Sequence, residues 1–181
     1  FKSFIEKFKL LQPETRQNVQ RSSNVRLGSD AGELKDIIQA ISSAKEFSIC
    51  YLLDKTDSLT YRLAGAAVST GAGESDYIDC SGAISEEVFL REFKNIFEDI
   101  GIKKIGHDLK NFIVYLKNKG IRFDGLSFDT MIAAYVLNPS SETYTIPELA
   151  SEHLGRNIET LESLTGKGKS FVPYCNLPVD S

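Results

Sequence analysis

Two hydrophobic periods follow one another along this chain, and their order restricts the fold more than any other feature. Phe47 to Leu53, Tyr61 to Ser69 and Asp76 to Asp79 read as short strands. The connections Asp54-Lys55-Thr56-Asp57-Ser58 and Thr70-Gly71-Ala72-Gly73 carry turn chemistry. Three strands joined this closely predict an antiparallel meander. From Ser85 onward the period becomes helical. Ser85 is placed to cap a helix whose first turn holds Glu86 and Glu87, acids favoured at the positive end of the dipole. Val88, Phe89, Phe93, Ile96, Phe97 and Ile100 form its apolar face. Lys103 to His107 reads as a short strand. Leu109, Phe112, Ile113 and Leu116 mark a helix that Gly120 ends. Phe123 to Phe128 is a strand or loop, and Met131, Ile132, Tyr135 and Val136 mark a helix stopped by Asn138-Pro139. Thr145-Ile146-Pro147-Glu148 has capping-box spacing and opens a helix closed by Gly155. Ahead of the meander, Asp30-Ala31-Gly32-Glu33 has capping-box spacing, and Leu34, Ile37, Ile38 and Ile41 follow at helical spacing. Strands first, then helices alternating with short strands, imply an α/β or α+β layout around one mixed sheet.

The 181 residues suffice for one domain with its own core. Phe4, Ile5, Phe8 and Leu11 stand at helical spacing, and the polar stretch Gln12 to Asn24 follows without period. Residues 1–23 are therefore expected to be a helical arm and linker, and residues 24–181 the domain. The chain lacks an initiator Met and reads as part of something longer. No apolar run approaches the roughly 18–20 residues of a membrane span. The start, Phe1-Lys2-Ser3-Phe4-Ile5-Glu6-Lys7-Phe8, alternates charge and bulk unlike a signal peptide. No membrane partner is expected, and the expected location is cytoplasmic. A net charge of −4 argues against tight nucleic-acid binding by the domain alone, which calls for a basic surface. Cys50, Cys80 and Cys175 lack CxxC spacing, so neither a disulfide framework nor a zinc site is expected.

Simple catalytic signatures are few. His107 and His153 have no ligand-spaced His or Cys neighbour, and no G-x-S-x-G elbow occurs. Gly166-Lys167-Gly168-Lys169-Ser170 is not a phosphate loop, because Ser163 stands where its first glycine belongs and no strand precedes it. It reads as a flexible basic loop able to brush a nucleic-acid backbone. Asp54, Asp57, Asp108, Asp124 and Asp129 lie at ends of elements and are candidate Mg²⁺ ligands, although Asp129 is equally explained as a helix cap.

Several phrases fit together. They are Thr56-Asp57-Ser58-Leu59, Ile105-Gly106-His107-Asp108-Leu109-Lys110, the run from Gly125 through Phe128-Asp129-Thr130-Met131 to Asn138-Pro139, Leu149 to Gly155, and Gly166-Lys167-Gly168-Lys169. In this order they resemble the 3′–5′ exonuclease (proofreading) domain of bacterial DNA polymerase I, a family A polymerase, across residues 24–181. The Phe1-Lys2-Ser3-Phe4 arm is similar to the end of the preceding 5′-nuclease region. The resemblance implies a ribonuclease H-like fold. It also implies a test. Active members put Asp-x-Glu on the first strand just before Thr-Asp-Ser-Leu, another Asp on the helix opened by Asn-Leu-Lys, and Tyr-x-x-x-Asp on a late helix. These carboxylates hold two divalent metals that activate water and stabilise the leaving oxygen.

This chain departs from that pattern. The Asp-x-Glu positions read Leu53-Asp54-Lys55, the helix Asp is Phe112, and Asp108 replaces the Asn. The Tyr-x-x-x-Asp helix is expected just beyond Ser181, where this sequence stops, and Tyr174 does not supply it, since Pro178 stands four residues later. No cofactor is then expected, and Mg²⁺ only if Asp54, Asp57 or Asp108 forms a shifted site. The resemblance implies a degenerate, structural domain packed against the polymerase domain of the same chain, meeting DNA through that polymerase, in a bacterial cytoplasm at the nucleoid. The alternatives are an active exonuclease with shifted carboxylates, or a module that guides single strands. For the latter, Lys103, Lys104, Lys110, Lys117, Lys119, Arg122, Lys167 and Lys169 are the candidate bases.

Overall fold

The meander forms the centre of a six-stranded mixed sheet. The computed structural model describes residues 24–28, 30–56 and 60–177. The arm and linker expected over 1–23, and the candidate Asp57, lie outside the described residues. In chain order the elements are β1 (Asn24–Gly28), α1 (Ala31–Ala44), β2 (Glu46–Lys55), β3 (Tyr61–Gly71), β4 (Glu74–Asp79), α2 (Glu86–Glu98) and β5 (Lys103–Gly106). Then come α3 (Lys110–Asn118), β6 (Leu126–Asp129), α4 (Thr130–Leu137), α5 (Ile146–Leu154), α6 (Leu161–Thr165) and 3-10 turns at Gly168–Ser170 and Tyr174–Asn176. The sheet order is β1-β4-β3-β2-β5-β6. Strands β4, β3 and β2 run antiparallel as expected, whereas β1 joins β4, and β5 joins both β2 and β6, in parallel. The edge strand β1 and the short α6 were not legible in the sequence.

Burial alternates along β2: Phe47 and Ile49 are buried, Ser48 and Cys50 exposed. The buried face carries the core. Leu34, Ile37 and Ile41 of α1, the Phe89, Phe93 and Phe97 stripe of α2, and Leu109, Phe112 and Leu116 around α3 pack on Phe47, Ile49, Leu63, Val68 and Ile78. Gly28 lets α1 approach, since a Cβ there would lie 3.2 Å from Ile37 Cδ1. The caps read from the sequence are present. Asp30 accepts from the amides of Gly32 and Glu33 at 2.7 and 2.9 Å, and Ser85 accepts from Val88 at 3.3 Å.

Two expectations are corrected. Ile100 lies beyond the end of α2 and is 80% exposed, because the chain leaves the helix at Asp99. In α4 the residues facing inward are Ala133 and Ala134, while Ile132 and Tyr135 face outward. The Asp129 cap fixes where this short helix starts, and so which side meets the body of the domain.

Near the end of β2 the register shifts. Leu52 pairs with Gly65 but Leu53 with Leu63, which leaves Ala64 as an extra residue on β3. Its carbonyl accepts from the Cys80 amide at 2.9 Å.

Gly125 has φ +73, and a Cβ there would stand 2.5 Å from the Ile102 carbonyl oxygen and 3.1 Å from that of Ile100. Backbone cannot swing aside as a side chain can. Gly125→Ala is expected to lower stability by about 2–4 kcal/mol, read as a drop in the urea midpoint with an unchanged m-value.

Candidate functional site

The end of β2 and the start of α3 carry the positions that the exonuclease resemblance singles out. Strand alternation turns Tyr51 and Leu53 toward the helix-covered face, where both pack against the core. Lys55, the last residue of β2, is exposed. Phe112 is fully buried. Its ring stacks on Tyr51 with centroids 4.8 Å apart and meets Phe97 and Phe123 edge-on at 5.6 and 6.0 Å. The position assigned to a metal-binding acid is thus the middle of an aromatic cluster joining β2, α2 and α3.

Asp54 turns the other way. It is 7% exposed, and its carboxylate accepts from the backbone amides of Tyr174 and Cys175 at 2.8 and 2.9 Å. Tyr174 therefore meets the site through its N–H, at the start of the last 3-10 turn.

Asp108 sits at the turn into α3 with φ +50, a conformation that Asp tolerates better than most residues. Two bonds hold it there. Its carbonyl accepts from the Tyr51 hydroxyl at 2.6 Å, and its amide donates to Asp129 at 3.2 Å. Burial, helped by the nearby charge of Asp108, pushes the Tyr51 phenol up to about 12, so it remains a donor. Asp129 accepts from four amides: Asp108 (3.2 Å), Leu109 (2.9 Å), Met131 (2.9 Å) and Ile132 (3.3 Å). The cap function was legible; the service to Asp108 and Leu109 was not. His107 is half-buried beside it, its Nδ1 2.8 Å from Thr130 Oγ1. Burial lowers the imidazole pKa below its usual value, with Asp129 and Asp108 opposing in part.

A pair of hard cations needs several converging oxygen ligands. Leu53 and Phe112 offer none, and Lys55 carries the wrong charge. Asp54 already serves two amides, and Asp124 pairs with Arg122 at 3.1 Å. Among the described residues no three His, Cys, Asp or Glu side chains converge as metal ligands. These residues do not fit a two-metal centre.

The candidate bases are dispersed among acids. Lys119 pairs with Glu86 at 2.7 Å and Lys167 with Glu162 at 2.6 Å. Lys104 is enclosed, and its Nζ donates to the Asp99 carbonyl at 2.6 Å. Lys103, Lys110 and Lys117 are exposed. The side chain of Lys169 lies outside the described residues.

The family described as DNA polymerase I, ribonuclease H-like domain, matches residues 51–174. The DNA polymerase I of Borreliella burgdorferi is 31% identical over 143 residues, 77% of this chain and 16% of that protein. The Bacillus subtilis DNA polymerase I is 35% identical over 92 residues, 50% of this chain and 10% of that protein. This chain thus spans at most about a sixth of their length. Among solved structures, the POL domain of Pol1 from M. smegmatis, in complex with DNA primer-template and dNTP, has a TM-score of 0.62 at 24% identity, over 75% of this chain and 23% of that one. Escherichia coli RNase D has a TM-score of 0.67 at 16% identity, over 86% of this chain and 38% of that one. At these identities the structural matches establish the fold, a mixed α/β sheet of ribonuclease H type with flanking helices.

Two outcomes follow from this geometry. Phe112→Asp, which would restore the acid that the resemblance assigns there, is expected to cost at least about 3 kcal/mol. Phe112→Leu should cost clearly less, and urea unfolding of the two variants checks the difference. For His107 the folded-state pKa is depressed, so the unfolded chain takes up the proton first as pH falls through the ordinary imidazole range near 6.5. Its contribution to stability is therefore present above that range and lost below it. Comparing unfolding midpoints at pH 7.5 and 5.5, His107→Gln should show a smaller acid loss than the parent.

Proposed function

The chain belongs to the DNA polymerase I ribonuclease H-like (exonuclease) domain family, and on that premise we propose that it is a vestigial 3′–5′ exonuclease domain. On this reading it does not proofread. It serves as a scaffold against the polymerase domain of the same polypeptide and meets DNA through that polymerase, in replication and repair in the bacterial cytoplasm. The observation that carries the proposal is Phe112, buried and stacked on Tyr51 where an active site needs a carboxylate.

The physical logic supports loss rather than relocation. Clustered carboxylates repel one another unless cations hold them. Replacing them by apolar groups removes that repulsion and adds buried area. Asp54, one residue out of phase, points to the opposite side of the strand, and a slip of one residue reverses the face of every side chain. The bulge beside it lies on β3, and it leaves Asp54 facing the Tyr174 and Cys175 amides.

The test is degradation of a 3′-labelled single strand with Mg²⁺ and then Mn²⁺, on the chain alone and within the longer polymerase. No shortening above a metal-free control is expected. Metal-dependent shortening that disappears in Asp54→Ala or Asp108→Ala would show a rebuilt site and overturn the proposal.

A further inference from the structure

Among the described candidate acids, Asp54 is buried and bonded to a distant segment of the chain. It is 7% exposed, near the end of a strand, with two amides from residues 120 and 121 positions further along the chain as its hydrogen-bond partners. A buried carboxylate without partners is costly, so these two N–H groups and the acid hold one another in place. Among the described residues, the segment that carries these amides makes its other backbone hydrogen bonds locally. The strap from Phe171 to Leu177 contains only one short 3-10 turn, and Phe171 is 50% exposed. Among the described residues its remaining backbone bonds are close in sequence: Phe171 to Gly168 at 3.3 Å, Val172 to Thr165 at 2.7 Å, Asn176 to Pro173 at 3.0 Å and Leu177 to Tyr174 at 3.1 Å. The Tyr174–Asn176 turn touches β2 and β3 and no helix as closely.

We propose that Asp54 is a latch: its carboxylate, held at the end of β2, fixes the Phe171–Leu177 strap across the β2–β3 end of the sheet, and the strap opens as one unit when the carboxylate is removed. Asp54 acts through the strap's backbone, so it is a positioning residue. The carboxylate suits the task because both oxygens accept at once, one amide each. An amide side chain would offer one acceptor and turn an N–H toward the second strap amide. The latch holds whether or not the domain cuts nucleic acid, and so stands apart from the reading above.

Amide hydrogen exchange on the full chain tests it, using Asp54→Asn, which keeps size and shape. The latch predicts that Val172, Tyr174, Cys175, Asn176 and Leu177 all exchange at least about tenfold faster by a common factor, while Ile49 and Val68 in the sheet do not change. Tyr174→Pro removes a donor from the strap side with Asp54 intact, and should open the same unit. Two results would overturn the proposal. Acceleration confined to Tyr174 and Cys175 would mean that other contacts hold the strap. Equal acceleration at Ile49 and Val68 would make Asp54 a general stability residue. Repeating the parent measurement in Mn²⁺ separates the roles: unchanged strap protection supports the latch, whereas loss of protection would show the carboxylate serving a cation instead.

Discussion

The stacking of Phe112 on Tyr51 ties the first residues of α3 to the middle of the central strand, and the rest of the site is arranged around that contact. The same tyrosine carries the hydroxyl that holds the Asp108 carbonyl, so one residue closes the stack and pins the turn leading into α3. Phe97 meets Phe112 edge-on, which brings α2 into the same cluster. Aromatic pairs of this geometry contribute about 0.5–1.5 kcal/mol each beyond the area they bury. A carboxylate at residue 112 would forfeit those contacts and be desolvated by them. The cluster and a metal centre are therefore alternatives at this point in the fold.

The buried acids that remain serve backbone. Asp129 satisfies four amides around two helix starts, and Asp54 satisfies two amides of the terminal strap. Both stand near strand ends, where the chain changes direction and amides lose their ladder partners. A carboxylate is the side chain best able to collect several such donors, because it accepts through two oxygens and has no proton to place. Acids at element ends thus have a structural use that sequence position alone does not separate from metal binding. Their partners decide between the two.

Much of the architecture was legible because it rests on local rules. The meander, the Ser85 and Asp30 caps and the core stripes of α1, α2 and α3 follow from period and turn chemistry. The failures are where a distant part of the fold decides. Strand β1 pairs with β4 across about fifty residues, and its short run NVRLG carries no turn signal that announces it. Helix α4 is apolar on nearly every side, so its period could not say which side faces in; small Ala133 and Ala134 do, not the larger Ile132 and Tyr135. At the positions that the resemblance assigns to ligands, the residue types Leu53, Lys55 and Phe112 could be read directly. The alternative duty of Asp54 could not, since its partners lie 120 residues away and are backbone groups that any sequence would offer.

The distinction between an eroded site and a repacked one has energetic content. If a metal acid is merely lost, a polar hollow remains, and reversal costs little. On the proposed reading, the residue that stands in for the acid at position 112 is large, in contact with four other aromatic rings, and wholly excluded from water. Interiors packed to this density resist change in either direction, because shrinking a side chain opens a cavity and charging it strands an ion. On the proposed reading, the substitution at Phe112 has made the scaffold depend on the residue that ended the chemistry. Restoring a carboxylate there would require Tyr51, Phe97 and Phe123 to change with it, and a single reversion meets a stability cost before it meets any metal.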